Sequence, residues 1–166
     1  DDSKKLLPAR REKLKVQIEA CAIAVGIGIV EVRDVERLNT YWASIEAMRR
    51  ALAALAVSPE QVLVDARHIP DLGMPQLALI KGDACSYSIA AASIVAKVVR
   101  DEMMVVLDGH YPVYGFARHM GYGTAEHLAA LDRHGPCPAH RRSFLPARGS
   151  PRGNWGRLQD RSRTRR

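Results

Sequence analysis

Two short apolar runs that each lead to an aspartate constrain this chain more than any other feature. Val62–Val64 is followed directly by Asp65, and Leu77–Ile80 is followed by Lys81-Gly82-Asp83. Apolar runs of this length, bounded by turn residues, predict buried strands. Open α/β sheets bind ligands at the carboxyl ends of their parallel strands, so the two carboxylates are candidates for one shared site.

The flanking sequence predicts helices around these strands. Pro8–Ala22 and residues 40–56 carry apolar side chains at helical spacing, and Ile89–Val99 is apolar nearly all round, which predicts a buried helix closed by Arg100-Asp101. Ile23–Val32 alternates large with small residues, which predicts a strand whose Ala/Gly face lies very close to a neighbour. Strand, helix and strand in this order predict a right-handed βαβ unit and an α/β fold.

The last third of the chain predicts an ordered loop, a helix and a basic tail. Tyr111–Gly123 is rich in Gly, Pro and aromatic residues, and Thr124 can cap a helix that Gly135 ends. Arg148–Arg166 contains seven Arg and one Asp, so it carries +6 of the net charge of +7. This composition predicts disorder from residue 145 onward. Such a tail binds phosphates without sequence preference, or only keeps the protein soluble.

The cysteines favour a reducing compartment. Cys21, Cys85 and Cys137 form an odd, sparse set without a CxxC pair, which predicts free thiols. His134-Gly-Pro-Cys137-Pro-Ala-His140 is similar to a metal knuckle, but no second ligand pair lies at zinc spacing, so we do not predict zinc here. No apolar run reaches the length of a membrane span.

The two aspartates suit metal-assisted phosphodiester chemistry. Carboxylates that share hydrated Mg²⁺ or Mn²⁺ allow one ion to activate water and another to stabilise the leaving oxygen. For Asp65 or Asp83 alone, a turn or cap role explains the residue at least as well. Asp101 is a third candidate carboxylate, although pairing with Lys97 at i to i+4 explains it equally.

Several longer strings resemble the bacterial ribonuclease HII family. They are KGDACSYSIAAASIVAKVVRD, VLVDARHIP before it, YPVYGFARHMGYGTAEHLAALDRHGPCPAHRRSF after it, and the earlier DDSKKL and VERLNTYWASIEAMRRAL. The resemblance spans Asp1 to Phe144. It implies a ribonuclease H-like fold, a mixed sheet flanked by helices, in a catalytic domain over residues 1–144, with a helical region at its C-terminal end and residues 145–166 as the tail.

The resemblance also implies an activity. Members of the family are metal-dependent endoribonucleases that cut the RNA strand of RNA–DNA hybrids and single ribonucleotides embedded in duplex DNA. They use two Mn²⁺ or Mg²⁺ ions and leave 5′-phosphate and 3′-hydroxyl ends. The resemblance therefore predicts a cytoplasmic, monomeric hydrolase whose partner is hybrid or ribonucleotide-containing duplex, with no membrane association.

Site residues carry over by motif. Asp65 and Asp83 match the third and fourth of the family's four acidic residues, which makes them the catalytic metal ligands. Tyr122 of HMGYGT matches the tyrosine that stacks at the RNA–DNA junction, where an aromatic ring suits a sugar and base edge. Lys4 of DSKKL matches a lysine near the substrate phosphates. The accessory candidates beside these residues are Asp101, Lys81, Arg118 and His119.

The sequence departs from the family pattern in three places. The D-E-A-G-R-G motif, which supplies the first two acidic residues and reads the ribose 2′-hydroxyl, occurs nowhere in the chain. We therefore expect a domain incomplete at its N-terminus, without its first strands, that cleaves little or nothing alone and has a groove beside Ile23–Val32. Cys85 stands where the family commonly has a basic residue. The Arg-rich tail is longer than the family requires.

Two alternatives to the nuclease stay open. The first is a non-catalytic nucleic-acid-binding fragment that uses Tyr122, Lys4, Arg118 and the tail. The second is a phosphotransfer domain with Asp65 as the acceptor, against which the lack of a phosphate-gripping Gly-rich loop counts. Among the remaining candidates, we expect His127 and His134 to be surface or packing residues, and Trp42 to belong to the core.

Overall fold

The computed structural model describes the backbone of residues 6–144, 147–150 and 153–155, and the side chains of residues 6–144. Helices dominate these residues, and short 3₁₀ helices lie at Pro112–Tyr114 and Arg142–Phe144. The α-helices are α1 (Pro8–Cys21), α2 (Val32–Ala53), α3 (Gly82–Cys85), α4 (Tyr87–His110), α5 (Phe116–His119) and α6 (Ala125–His134). The strands are β1 (Val62–Asp65), β2 (Gln76–Leu79), β3 (Ala147–Ser150) and β4 (Gly153–Trp155).

The chain divides into two compact units, each with its own core. Unit 1 holds the residues up to Ile29 together with Ser44–Arg100, and unit 2 holds Val30–Ala43 and the residues from Asp101 onward. A single domain over residues 1–144 stays a prediction. One cluster of buried core residues consists of Ile45, Val64 and Ile69 in unit 1, and another consists of Met104, Tyr114, Phe116 and Leu131 in unit 2.

Unit 1 contains the two strands that the sequence predicts before the aspartates. β1 and β2 pair in parallel, with Val62 opposite Gln76 and Asp65 opposite Leu79. The apolar stripe of α2 packs on β1 as expected, because Met48 and Leu52 join the core there. The loop between the strands is held by one side chain.

That side chain is Gln76, which bonds to both backbone groups of the buried residue Ile69. The Ile69 N–H donates to Gln76 Oε1 at 2.8 Å, and Gln76 Nε2 donates to the Ile69 carbonyl at 2.7 Å. Ile69 is only 1% exposed, so its backbone groups depend on this amide rather than on water. The loop that leads away from Asp65 is therefore fixed at its middle.

The predicted strand at residues 23–32 is wrong as a member of a sheet. The large side chains of Ile23, Val25, Ile27 and Ile29 are exposed and the alternate residues are half-buried, yet the segment has no ladder partner among the described residues. The parallel pair is β1 with β2, joined by a loop, and the predicted βαβ pairing does not form. Without a neighbouring backbone, the alternating pattern alone cannot make a strand.

The small face of this segment does pack very close to a neighbour, as predicted. A Cβ on Gly26 would lie 2.1 Å from the Ala51 carbonyl oxygen, and one on Gly28 would lie 1.9 Å from that of Ala47. Both contacts are with the backbone of α2, which cannot move aside. The Arg50 guanidinium donates to the Ile29 carbonyl at 2.7 Å and secures the end of the segment.

Two helices differ from their predicted extents. α4 continues through Arg100-Asp101 to His110, because these residues and those after them favour helix until Gly109. α2 begins at Val32 but breaks at Asn39, whose φ is 65°. The Asn39 Oδ1 accepts from the N–H groups of Tyr41 and Trp42 at 2.9 and 3.2 Å and restarts the helix. Trp42 is 48% exposed, so its predicted place in the core is wrong.

The end of the chain agrees with the sequence in its last helix and differs in the tail. Thr124 caps α6 by accepting from His127 N–H at 3.3 Å, and Gly135 ends the helix. The segment predicted to be disordered from residue 145 contains the antiparallel strands β3 and β4, with Ala147 opposite Trp155 and Ser150 opposite Gly153. The rest of that prediction falls outside the described residues. Within the described part of the chain, no helix is long and apolar enough to span a membrane.

Candidate active site

Asp65 lies at the carboxyl end of β1 and is held by the backbone that follows β2. Its Oδ1 accepts a hydrogen bond from the Gly82 N–H at 2.8 Å. The side chain is otherwise exposed. Because the two strands are parallel and in register, both end at the same edge, and α3 starts there. The register therefore explains why a residue 17 positions later reaches Asp65.

Asp83 directly follows Gly82 in the chain and lies half-buried in the first turn of α3. The chain enters α3 through Lys81, an exposed residue in the left-handed conformation with φ of 54°. The structure thus brings the two predicted aspartates to one edge of unit 1. The accessory candidate Lys81 lies between them in the chain.

Gly82 is the residue that permits this arrangement. A Cβ at this position would lie 2.5 Å from Ile89 Cδ1 and 3.3 Å from Asp65 Oδ1. A side chain here would therefore displace the end of the Ile89 side chain and crowd the Asp65 carboxylate. The sequence analysis did not single out Gly82. A glycine between a strand and a carboxylate often marks a close approach of two backbones, so the position of Gly82 in the sequence could have indicated its role.

The donor set at this edge fits a hard divalent cation in part. Carboxylate oxygens are the ligands that Mg²⁺ and Mn²⁺ prefer. The residues that the structure describes contain no group of three or more His, Cys, Asp or Glu side chains able to hold a metal ion. Asp65 and Asp83 are therefore suitable ligands that supply only part of a coordination shell.

Cys85 lies at the end of α3, close in the chain to Asp83. The Cys85 thiol is exposed and donates to the Lys81 carbonyl at 3.0 Å, so it caps the short turn of α3. Asp101 belongs to unit 2, and its role beside Asp65 stays a prediction. Lys4 lies outside the described residues, and its predicted role is likewise untested.

Tyr122 lies in unit 2 on a short loop between α5 and α6, which we call the Tyr122 loop (residues 120–124). Its side chain is 56% exposed. Arg118 of α5 forms an ion pair with Glu126 on the first turn of α6. The hydrogen bond from Arg118 holds the pKa of the Glu126 carboxyl below its ordinary value. An exposed aromatic ring of this kind can stack on a base or sugar of a nucleic-acid strand.

His119 is not placed to contact phosphate. The ring is 7% exposed, and Nε2 lies 2.7 Å from the Tyr114 carbonyl oxygen. Nδ1 accepts from the Gly121 N–H at 3.2 Å. Because both ring nitrogens are bonded to backbone, the sequence-based phosphate role does not fit this position. The ring instead accepts a hydrogen bond from the backbone of the Tyr122 loop, at Gly121.

The knuckle-like segment His134 to His140 forms a hydrogen-bonded cluster. His134 is exposed and meets the Tyr114 ring edge on at 6.4 Å between centroids. The Cys137 Sγ lies 3.1 Å from His140 Nδ1, and His140 Nε2 lies 3.1 Å from His127 Nε2. Burial raises the pKa of the Cys137 thiol, so the neutral thiol is favoured over the thiolate that metals bind. We expected His127 to be a surface or packing residue. It is buried, so of these two roles only packing fits.

Comparison with known proteins identifies the family. The family model described as ribonuclease HII matches residues 1–147. The ribonuclease HII of Geobacillus thermodenitrificans (strain NG80-2) is 60% identical over 148 residues, which are 89% of this chain and 57% of that protein. The ribonuclease HII of Anaeromyxobacter sp. (strain Fw109-5) is 53% identical over 148 residues, 89% of this chain and 47% of that protein. The chain therefore spans about half the length of the curated relatives it matches.

A solved structure agrees with the predicted fold class. The crystal structure of the ribonuclease H2 from Pyrococcus horikoshii OT3 matches with a TM-score of 0.63 at 23% identity, covering 86% of this chain and 75% of that one. At this identity the likeness shows the fold alone, and it confirms the ribonuclease H-like α/β class. Together with the family match over residues 1–147, these findings show that the chain belongs to the ribonuclease HII family.

Proposed function

We propose that this chain forms part of a metal-dependent endoribonuclease that hydrolyses the RNA strand of RNA–DNA hybrids and single ribonucleotides embedded in duplex DNA. The products carry 5′-phosphate and 3′-hydroxyl ends. One observation carries the proposal. Asp65 accepts a hydrogen bond from the Gly82 N–H, directly before Asp83 at the same sheet edge, in a chain whose family match covers residues 1–147.

Asp65 and Asp83 are the residues that would hold the catalytic ions. When bound, Mg²⁺ or Mn²⁺ lowers the pKa of a water molecule and stabilises the negative charge of the leaving oxygen. The Gly82 N–H orients the Asp65 carboxylate by occupying one of its oxygens. Tyr122 offers its exposed ring to the substrate sugar and base, and Arg118, Lys81 and Lys4 attract the phosphates.

The chain by itself supplies two of the four carboxylates that the family uses, and it contains no D-E-A-G-R-G string. Two carboxylates leave most of the coordination of an ion to water, so the ion is held weakly. We therefore propose that these 166 residues alone cleave little or nothing. The exposed row of Ile23, Val25 and Ile27 supports the expected groove, since apolar side chains on one face of a segment favour coverage by another strand.

The decisive experiment extends the chain at its N-terminus with a family segment that carries D-E-A-G-R-G. The substrate is a DNA duplex with one ribonucleotide, and Mn²⁺ is supplied. Asp83→Asn is expected to lower kcat by roughly 100-fold or more, because metal-based charge stabilisation of several kcal/mol is lost. Asp71→Asn is the matched control, because Asp71 is an exposed loop residue whose φ of 51° asparagine also accepts.

Undiminished cleavage by Asp83→Asn would remove Asp83 from the site. Cleavage by the unextended chain at the rate of the extended protein would contradict the proposal that two carboxylates are insufficient. If Asp71→Asn loses as much activity as Asp83→Asn, the loss reflects charge or folding and not metal binding. The three outcomes are separate, because the protein, the substrate and the ion are the same in each assay.

A second candidate function is non-catalytic binding of nucleic acid. It is favoured by the charge of the segment from Arg148 onward, which carries +6 of the net charge of +7. Deletion of residues 148–166 and titration of a hybrid duplex at several salt concentrations tests it. If the deletion abolishes binding together with its salt dependence, the tail alone binds, and Tyr122 and Arg118 have no part in recognition by this chain.

The cellular location and the oligomeric state are part of the same proposal. We propose a cytoplasmic monomer. Support comes from the three cysteines, which are all free, as a reducing compartment would keep them. Reducing and non-reducing electrophoresis of protein from cell extracts, together with light scattering of the purified chain, checks both statements.

A further inference from the structure

Three histidine side chains form a buried cluster in unit 2, and the proposed reaction does not use them. His119, His127 and His140 are 7%, 5% and 9% exposed. The rings of His119 and His127 stack with centroids 4.3 Å apart and an interplanar angle of 13°. Buried imidazoles are unusual unless their nitrogens are bonded, and here every ring nitrogen lies within hydrogen-bond distance of a polar atom.

The backbone decides which nitrogen carries each proton. The Cys137 N–H donates to His140 Nδ1 at 3.0 Å, so the hydrogen of a neutral His140 ring is on Nε2. That Nε2–H donates to His127 Nε2 at 3.1 Å. The hydrogen of His127 is then on Nδ1, which donates to the Tyr122 carbonyl at 2.9 Å. The donors run in one direction from Cys137 through both rings to Tyr122.

His119 fixes the other side of the same loop. The Gly121 N–H donates to His119 Nδ1 at 3.2 Å, so Nε2–H donates to the Tyr114 carbonyl at 2.7 Å. The Tyr122 N–H donates to the His119 carbonyl at 2.9 Å. Both backbone groups of Tyr122 are therefore bonded, while its side chain is 56% exposed.

We propose that His127, ordered by His140, is a positioning residue that holds the Tyr122 loop ready for the ribonucleotide-containing strand. The inference rests on the proposed function, because it requires that Tyr122 contacts substrate. A ring presented on a fixed backbone loses less conformational entropy on binding than one on a mobile loop. The expected consequence is an effect on substrate affinity and not on the chemical step.

Packing alone is the competing explanation. The ring of Phe116 lies 5.5 Å from His127 and 5.3 Å from His140 between centroids, so the cluster also fills the core of unit 2. The two explanations differ in which nitrogen of His127 matters. Packing depends on the shape of the whole ring, whereas positioning depends on the Nδ1–H bond to Tyr122.

Two amide substitutions separate the nitrogens. His127→Asn places an N–H near the position of Nδ1 and retains a donor to Tyr122. His127→Gln reaches the position of Nε2 and loses that donor. In the D-E-A-G-R-G-extended protein, His127→Gln is expected to raise KM about tenfold with kcat changed less than about twofold, the effect of one lost hydrogen bond. His127→Asn is expected to keep KM within about threefold of the parent. His110→Gln, at an exposed position, is the control for loss of a histidine.

The outcomes distinguish this inference from the proposed function. If Tyr122→Ala does not raise KM, then Tyr122 does not contact substrate and the proposed role of Tyr122 fails. If Tyr122→Ala raises KM but His127→Asn and His127→Gln behave alike, or lower kcat and not affinity, the positioning role is overturned.

Hydrogen exchange of the unaltered chain decides the matter if a His127 variant does not fold. Positioning requires that the Gly121 and Tyr122 amides exchange much more slowly than an unstructured peptide. Exchange of both amides at the unstructured rate would overturn the inference without any variant.

Discussion

The aspartate edge of unit 1 and the Tyr122 loop of unit 2 each carry residues for which a role toward nucleic acid is proposed, yet they are built in opposite ways. At the aspartate edge, Asp65 is exposed and the side chain of Ile80 is 83% exposed. Beneath the Tyr122 loop, the rings of His119, His127 and His140 are all less than a tenth exposed. The aspartate edge leaves polar and apolar side chains exposed to solvent. Near the Tyr122 loop, every nitrogen of the three buried histidine rings is hydrogen-bonded within unit 2.

The difference teaches where each region obtains its order. The Tyr122 loop is held by hydrogen bonds within unit 2. The aspartate edge has one fixed carboxylate, Asp65, and elsewhere in unit 1 the segment 23–29 presents exposed apolar residues with no strand beside it among the described residues. We expect this region to gain order and metal affinity when further chain or ligand covers it.

The contact between residues 23–29 and α2 offers the largest test of this contrast. If packing against α2 alone holds the segment, Gly28→Ala must force the backbones apart, since the new Cβ would lie 1.9 Å from the Ala47 carbonyl oxygen. We expect a loss of about 3 kcal/mol or more in the free energy of unfolding, measured by urea denaturation. Gly109→Ala is the control, because nothing lies within 4 Å of its Cβ and alanine favours the helix. An unchanged unfolding midpoint for Gly28→Ala would show that the segment does not lie against α2.

Acid should affect unit 2 through its histidines. Burial, with a further contribution from His127, lowers the pKa of His140 from 6.5 to about 4. The folded chain therefore favours the neutral ring, whose stabilising effect is complete above pH 6.5 and is lost as the pH falls towards about 4. The titratable groups that face His140 are His127, His119, Cys137 and Tyr114.

The expected loss over this range is about 3 kcal/mol of unfolding free energy from His140. Urea denaturation at pH values across the window measures it. His140→Leu should be less stable near neutrality and should show a shallower dependence on pH. His110→Gln should keep the slope of the parent. If His140→Leu and the parent have equal slopes, the network does not depend on a neutral His140.

The loop that leaves Asp65 gives the smallest effect. Gln76→Leu removes both bonds to the buried backbone of Ile69, and we expect a loss of about 2 kcal/mol in the free energy of unfolding. Gln61→Leu is the control at an exposed position just before β1. A Gln76→Leu protein as stable as the control would mean that the aspartate edge is even more open than described.

Local patterns explain why much of the fold can be predicted from the sequence. Thr124 and Gly135 limit the last helix because a cap and a left-handed-tolerant residue act within one turn. The runs before Asp65 and Asp83 predict strands because they are short, apolar and bounded by turn residues. The end of α4 was predicted wrongly, because an Arg-Asp pair is not a helix stop and most of the residues after it also favour helix.

The sequence by itself determined most of the helices, the strands β1 and β2, the family and the choice of two candidate metal ligands, since these depend on residue type, spacing and motif. Only the tertiary structure decided that the Gly82 N–H, directly before Asp83, donates a hydrogen bond to Asp65. It also decided that the apolar side chains of Ile23–Ile29 are exposed and that the segment has no strand beside it among the described residues. It also decided that His119, for which the sequence suggested a phosphate contact, is buried and bonded to backbone, and that His127 and His140 are bonded in a chain to the Tyr122 carbonyl. The physical reason is that a hydrogen bond or a sheet ladder depends on which distant backbone lies within about 3 Å, and no local pattern records that distance.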